Sequence, residues 1–212
     1  MRIIIFANGE MPHARLDARL VQEQDFIICA DGGARHALAL GLTPDVVVGD
    51  MDSLDESIIA RLQAAGTSIH RFSPDKDFTD LELALQMARD MQPQEVILLG
   101  ALGGRLDQML ANLMLLASPS YADMPIVMVS GMESARAVRD EIVIRGRVRD
   151  IVSVIPLSDD VSGLTYHGGL RWLLHDATLP LGSSRGVSNE LTDDTARISL
   201  RSGVILVIHT RR

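Results

Sequence analysis

The chain has 212 residues, 47% of them apolar and 23% charged, which excludes a disordered chain and suffices for one large domain or two small ones. Its formal net charge of −8 argues against a general nucleic-acid binder, because a phosphate backbone needs a basic surface. The single cysteine, Cys29, excludes an intrachain disulfide, and no apolar run approaches the roughly 18 residues that cross a bilayer, so the expectation is a cytoplasmic protein with no membrane partner.

Continuous apolar runs at residues 3–7, 26–30, 46–48, 69–72, 96–99 and 126–129 read as strands covered on both faces, as in a parallel sheet. Helical patterns alternate with them. Residues 34–40 stop at Gly41, and residues 54–65 follow Ser53 as N-cap and stop at Gly66. Residues 78–91 end before Pro93, and residues 105–117 before Pro119. After about residue 133 the pattern changes to short β-branched runs at 135–139, 141–145, 151–156, 165–167, 196–200 and 204–209, with turn residues between them and no convincing helix. The fold class is therefore α/β. A largely parallel sheet domain over residues 1–132 precedes a small all-β sandwich over 133–212.

Ligands bind open α/β sheets at the carboxyl ends of the strands. Four successive predicted strands end in chemically useful segments: Asp31-Gly32-Gly33-Ala34, Gly49-Asp50-Met51-Asp52-Ser53, Asp75-Lys76-Asp77-Phe78-Thr79-Asp80 and Gly100 to Asp107. Asp50 and Asp52 at i and i+2 face one side of an extended backbone and suit a hard cation such as Mg²⁺, unless Asp52 or Ser53 simply caps the next helix. Asp77 reads as the N-cap of the third helix, with Asp80 in its first turn. Lys76 between carboxylates opposes that helix dipole. It is the only lysine beside 19 arginines, which suggests an ammonium aimed at a phosphate. Gly32, Gly33, Gly103 and Gly104 precede helices, where backbone N–H groups can approach phosphate or where an ordinary turn needs glycine. Arg105 could clamp a phosphate, with Asp107 orienting it. In the β part the only tryptophan, Trp172, reads as lying in a glycine-flanked strand, either in the core or as a ligand wall. Ser188-Asn189 is a polar turn.

Taken together these motifs resemble the thiamine pyrophosphokinase family, over nearly the whole chain and in the family's order. They include Lys76-Asp77-Phe78-Thr79-Asp80, Gly100-x-x-Gly103-Gly104-Arg105-x-Asp107-Gln108, Gly169-Leu170-Arg171-Trp172 and Ser188-Asn189. The resemblance implies transfer of pyrophosphate from ATP to thiamine, giving thiamine diphosphate and AMP, with Mg²⁺, by a homodimer. It places catalysis on Asp31, Asp50, Asp52, Asp80, Lys76 and Arg105, with Asp50, Asp52 and Asp80 on the metal and Asp52 or Asp80 as proton acceptor. Substrate binding falls on Gly32, Gly33, Asp77, Thr79, Gly103, Gly104 and Asp107, and for thiamine on Trp172, Ser188 and Asn189. The alternative on the same aspartates is a Mg²⁺-dependent phosphohydrolase or another nucleotide-dependent kinase.

Overall fold

A computed structural model describes all 212 residues, which divide into two compact units, Met1–Gly131 and Met132–Arg212. In the first unit β1 (Arg2–Phe6), β2 (Phe26–Ala30), β3 (Val46–Gly49), β4 (Ser68–Arg71), β5 (Glu95–Leu99) and β6 (Ile126–Ser130) form a parallel sheet. Their order is β6-β5-β1-β2-β3-β4. The chain thus steps outward from β1 to β4 and then returns to the other side of β1. That return makes a switch point at the carboxyl ends of β1 and β5. The central strands are covered on both faces. Ile3, Ile4, Ile5 and Phe6 have no exposed surface, which explains their unbroken apolar run. The edge strand β4 is mostly exposed and correspondingly polar.

The helices are α1 (Ala14–Asp17), α2 (Gly33–Ala39), α3 (Glu56–Ala64), α4 (Asp80–Asp90) and α5 (Leu106–Leu115). Two helix starts differ from the sequence reading. The N-cap of α3 is Asp55, so neither Asp52 nor Ser53 caps it. The N-cap of α4 is Thr79, whose hydroxyl accepts from the Glu82 N–H at 3.2 Å, and Asp77 lies outside the helix. The short α1 lies in the β1–β2 connection, where the sequence offered no sustained period.

The second unit holds two antiparallel sheets. One is β12 (Asn189–Glu190), β9 (Ile151–Pro156), β14 (Ile205–Thr210) and β7 (Glu133–Val138), in that order. The other is β11 (Ala177–Pro180), β10 (Asp160–Tyr166), β13 (Thr195–Ser199) and β8 (Glu141–Arg145). Alternate residues of β9 are buried, as expected for a strand packed on one face. Val152, Val154, Val161, Leu164, Ile198 and Val207 lie in the shared core. Asp150 anchors the start of β9 by accepting from Arg147 N–H at 2.9 Å, Arg212 N–H at 3.0 Å and His209 Nε2 at 2.9 Å. No helix occurs here, as the sequence implied, but β11 and the two-residue β12 escaped it.

Candidate active site

The switch point opens into a cleft of about 540 Å³ in the first unit. Its lining comes from the ends of all the central strands: Asn8 and Gly9 after β1, Asp31 after β2, Asp50 after β3, Lys76 and Thr79 before α4, and Gly103 and Arg105 after β5.

Carboxylate oxygens of Asp31, Asp50 and Asp52 lie within 4.8 Å of one another. Asp50 and Asp52 do not reach this arrangement through an extended segment. Met51 adopts φ 67° and the Asp52 N–H donates to Asp50 Oδ1 at 3.1 Å, so a tight turn gathers them. Asp31 also sits in the left-handed region, at φ 43°, which aspartate tolerates better than most residues. It is 4% exposed, and its Oδ1 is buried with no hydrogen-bond partner. Such an orphan acceptor is costly without a ligand.

Asp80 joins the cluster from the start of α4. A Cβ on Gly49 would stand 2.9 Å from Asp31 Cβ and 3.0 Å from Asp80 Oδ1, so only glycine lets the two carboxylates come this close. Lys76 neutralises the group, with Nζ 2.7 Å from Asp80 Oδ1 and 3.9 Å from Asp50 Oδ2. Burial raises the Asp80 pKa above the usual carboxylate range. The Lys76 hydrogen bond and charge oppose this, and the charges of Asp50 and Asp31 reinforce it. The structure therefore brings together Asp31, Asp50, Asp52, Asp80 and Lys76. The oxygens best placed for one cation are those of Asp31, Asp50 and Asp52, while Asp80 is held by the ammonium.

Arg105 and Asp107 form a two-pronged pair at the mouth of the cleft, Nε–Oδ1 3.2 Å and Nη2–Oδ2 2.7 Å, both well exposed. Each holds the other's charge: the Arg105 pKa moves up and that of Asp107 down. Gly103 and Gly104 take φ 81° and 73° in the preceding turn. Gly32 and Gly33 serve packing. A Cβ there would fall 2.3 Å from Asn8 Oδ1 and 2.0 Å from the Phe6 carbonyl oxygen. Asp77 is exposed outside the cleft lining. The sequence reading missed Asn8 and Gly9, although the strand-end rule that found the other loops applies equally to β1. Asn8 Nδ2 donates to Ser53 Oγ at 3.3 Å, linking the β1 and β3 loops.

In the second unit Trp172 is 54% exposed in the β10–β11 loop, neither in a strand nor in the core. Asn189 holds it there: Oδ1 accepts from Trp172 N–H at 3.1 Å and Nδ2 donates to Trp172 O at 2.7 Å. A recess of about 410 Å³ beside the ring is lined by Tyr166, Trp172, Leu174, Arg185 and Ser188 among others.

A switch-point cleft of this composition, in a chain that also carries a β sandwich with its own recess, defines an enzyme of the α/β class. The family model for "Thiamin pyrophosphokinase, catalytic domain" matches residues 18–128, and that for "Thiamin pyrophosphokinase, vitamin B1 binding domain" matches residues 141–205. The chain belongs to the thiamin pyrophosphokinase family. It is 29% identical over 190 residues to thiamine pyrophosphokinase of Bacillus subtilis (strain 168), covering 89% of this chain and 88% of that protein. Thiamine pyrophosphokinase 1 of Arabidopsis thaliana is 26% identical, over 99% of this chain and 86% of that protein. The crystal structure of the Bacillus subtilis enzyme superimposes with a TM-score of 0.89 at 27% identity, covering 100% and 99% of the two chains. That of Candida albicans thiamin pyrophosphokinase shares the fold, with a TM-score of 0.82 at 16% identity over 99% and 88%.

Proposed function

We propose that this chain transfers the β,γ-pyrophosphoryl group of ATP to the hydroxyl of thiamine, yielding thiamine diphosphate and AMP. The observation that carries this reading is the convergence of four aspartates and the only lysine at the switch point of a thiamin pyrophosphokinase catalytic unit. Residues 1–132 serve ATP, Mg²⁺ and catalysis, and residues 133–212 serve thiamine and dimerisation. The buried, unpartnered Asp31 Oδ1 and its all-oxygen neighbours fit a hard divalent cation. We assign Mg²⁺ to Asp31, Asp50 and Asp52. When bound, it neutralises polyphosphate oxygens.

The chain's own residues do the rest. Lys76 and Arg105 neutralise phosphate oxygens, and Arg105 does so after parting from Asp107. The thiamine oxygen forms a bond to the β-phosphorus as the bond to the α,β-bridging oxygen breaks, and AMP leaves with that oxygen. The hydroxyl proton passes to a carboxylate. Of Asp52 and Asp80, Asp80 is the better acceptor, because burial raises its proton affinity. Trp172 supplies a wall for thiamine, with Asn189 as its positioning residue and Ser188 beside it.

A homodimer would also cover an apolar stripe of the first unit, outside the residues assigned to dimerisation: on α5, Leu106, Leu110 and Met114, spaced i, i+4 and i+8, are 73%, 57% and 46% exposed. A cytoplasmic location and the absence of a nucleic-acid partner are consistent with the single buried cysteine and the net charge of −8. The test is AMP release from ATP with and without thiamine and Mg²⁺. The expected result is AMP formation that needs both. Phosphate release independent of thiamine would replace this reading with hydrolysis.

A further inference from the structure

The interior of the second unit changes character along β7 and β14. Their register sets Val138 opposite Ile205, Arg136 opposite Val207 and Ser134 opposite His209. Val138, Ile205 and Val207 belong to the core between the two sheets. Side chains two residues apart on a strand share a face, so Arg136, Ser134, His209 and Arg211 continue that inner face beyond its apolar part. They line a recess of about 410 Å³, which β8 borders with Arg145. The inner faces of a sandwich are ordinarily filled by apolar side chains, so three guanidiniums around one recess call for a counter-charge.

The chain does not supply it there. The lining includes no Asp or Glu, and no carboxylate stands within ion-pair distance of Arg145 or Arg211. The neighbouring acidic groups are engaged elsewhere. Glu133 belongs to the outer face, where it accepts from Thr210 Oγ1 at 3.2 Å, and Glu141 is paired with Arg197. Asp150 lies 2.9 Å from His209 Nε2 and also accepts from the N–H groups of Arg147 and Arg212. The occupant that completes this recess is therefore an anion. No Phe, Tyr or Trp lines it, so there is no face on which a nucleobase would stack.

We infer that this recess is a second anion site, outside the first-unit cleft, and that it takes phosphate or a diphosphate group. Arg145 and Arg211 are its principal cations, with Arg136 and the Ser134 hydroxyl on the inner wall. The donors come from three strands of two sheets, so the acceptor oxygens must point in more than one direction. A tetrahedral phosphate offers that, whereas a carboxylate has two oxygens in one plane. Each guanidinium presents a fork of N–H donors that matches two phosphate oxygens.

The test is isothermal titration of the full-length protein, in EDTA, with inorganic phosphate, inorganic diphosphate, AMP and thiamine diphosphate. The expected result is binding of diphosphate that weakens at least about tenfold in Arg145→Glu and in Arg211→Glu, as for one lost charge-assisted hydrogen bond. Both side chains are exposed, and Arg211 is the penultimate residue, so a fold defect in one variant leaves the other to decide. Arg61→Glu, an exposed position on α3, makes the same change in net charge and should bind as the wild type does. Lys76→Met should also bind as the wild type does. Binding of the inorganic ions alone would identify free phosphate as the ligand. Equal binding of thiamine diphosphate or AMP would show that the phosphoryl end of a larger molecule enters. Loss of binding in Lys76→Met with none in Arg145→Glu and Arg211→Glu would place the anion in the first-unit cleft and overturn the inference. So would an equal loss in Arg61→Glu, or no heat from any of the four ligands at millimolar concentration.

Discussion

Lys76→Met removes the cation from an acidic cluster and isolates its electrostatic role from its role toward phosphate. Nζ stands 2.7 Å from Asp80 Oδ1 and 3.9 Å from Asp50 Oδ2, and the lysine side chain is only 15% exposed. With an effective dielectric constant of about 20 these contacts are worth roughly 6 and 4 kcal/mol in gross Coulomb energy. Desolvation of the ammonium offsets most of that, leaving a net loss of about 2 kcal/mol in a partly open site. For a chain of this length the melting temperature should fall by about 4–8 °C in EDTA. The deficit should shrink in acid. The raised Asp80 pKa means that the folded protein binds this proton more tightly than the unfolded chain does. Acid therefore favours the fold at this group, and the penalty appears as pH rises from about 4 toward the raised value. Mg²⁺ should bind the variant more tightly, because its competitor is gone. Mg²⁺ stabilises both proteins, so at saturation the gap narrows by RT ln of the ratio of their affinities, and about 30-fold tighter binding by the variant would close about 2 kcal/mol. Activity should not return with stability if, as proposed, the ammonium also neutralises phosphate oxygens, and Lys76→Arg should rescue it only in part. Differential scanning fluorimetry in EDTA and in Mg²⁺ decides the matter. An equal deficit in both, or none in either, would show that Lys76 is not the counter-ion of this cluster.

Asp31→Asn should fold and lose at least about two orders of magnitude in kcat, since it weakens an orphaned buried ligand, and near-normal turnover at saturating Mg²⁺ would count against the assignment. Gly49→Ala places a methyl 2.9 Å from Asp31 Cβ and 3.0 Å from Asp80 Oδ1 at φ 152°, so thermal melts should show a loss of about 1–3 kcal/mol and AMP assays a large drop. Burial would raise the Asp150 pKa, but hydrogen bonds from Arg147, Arg212 and His209 outweigh it and hold it below the usual range. Its contribution should therefore be present above about pH 4 and drain away as pH falls through the lowered value, and Asp150→Asn should flatten the acid limb of a stability–pH curve.

The sheet was legible because parallel strands buried on both faces leave unbroken apolar runs, as at Ile3 to Phe6 and Val96 to Leu99. The loops of the candidate site were legible because ligand-binding groups collect at strand ends, and Asp31, Asp50, Asp80 and Lys76 do meet there. What stayed hidden depends on geometry within a few residues. The approach of Asp50 and Asp52 rests on a left-handed Met51, and nothing in that residue type announces a positive φ. Thr79 rather than Asp77 caps α4, because both are good caps and only the path of the loop decides. Asn189 was named with Ser188 in the polar turn, but its pair of hydrogen bonds to the Trp172 backbone was not legible, nor were the surroundings of Tyr166. A tyrosine at the end of a strand looks like core, and that its buried hydroxyl lacks a partner shows only once its surroundings are fixed.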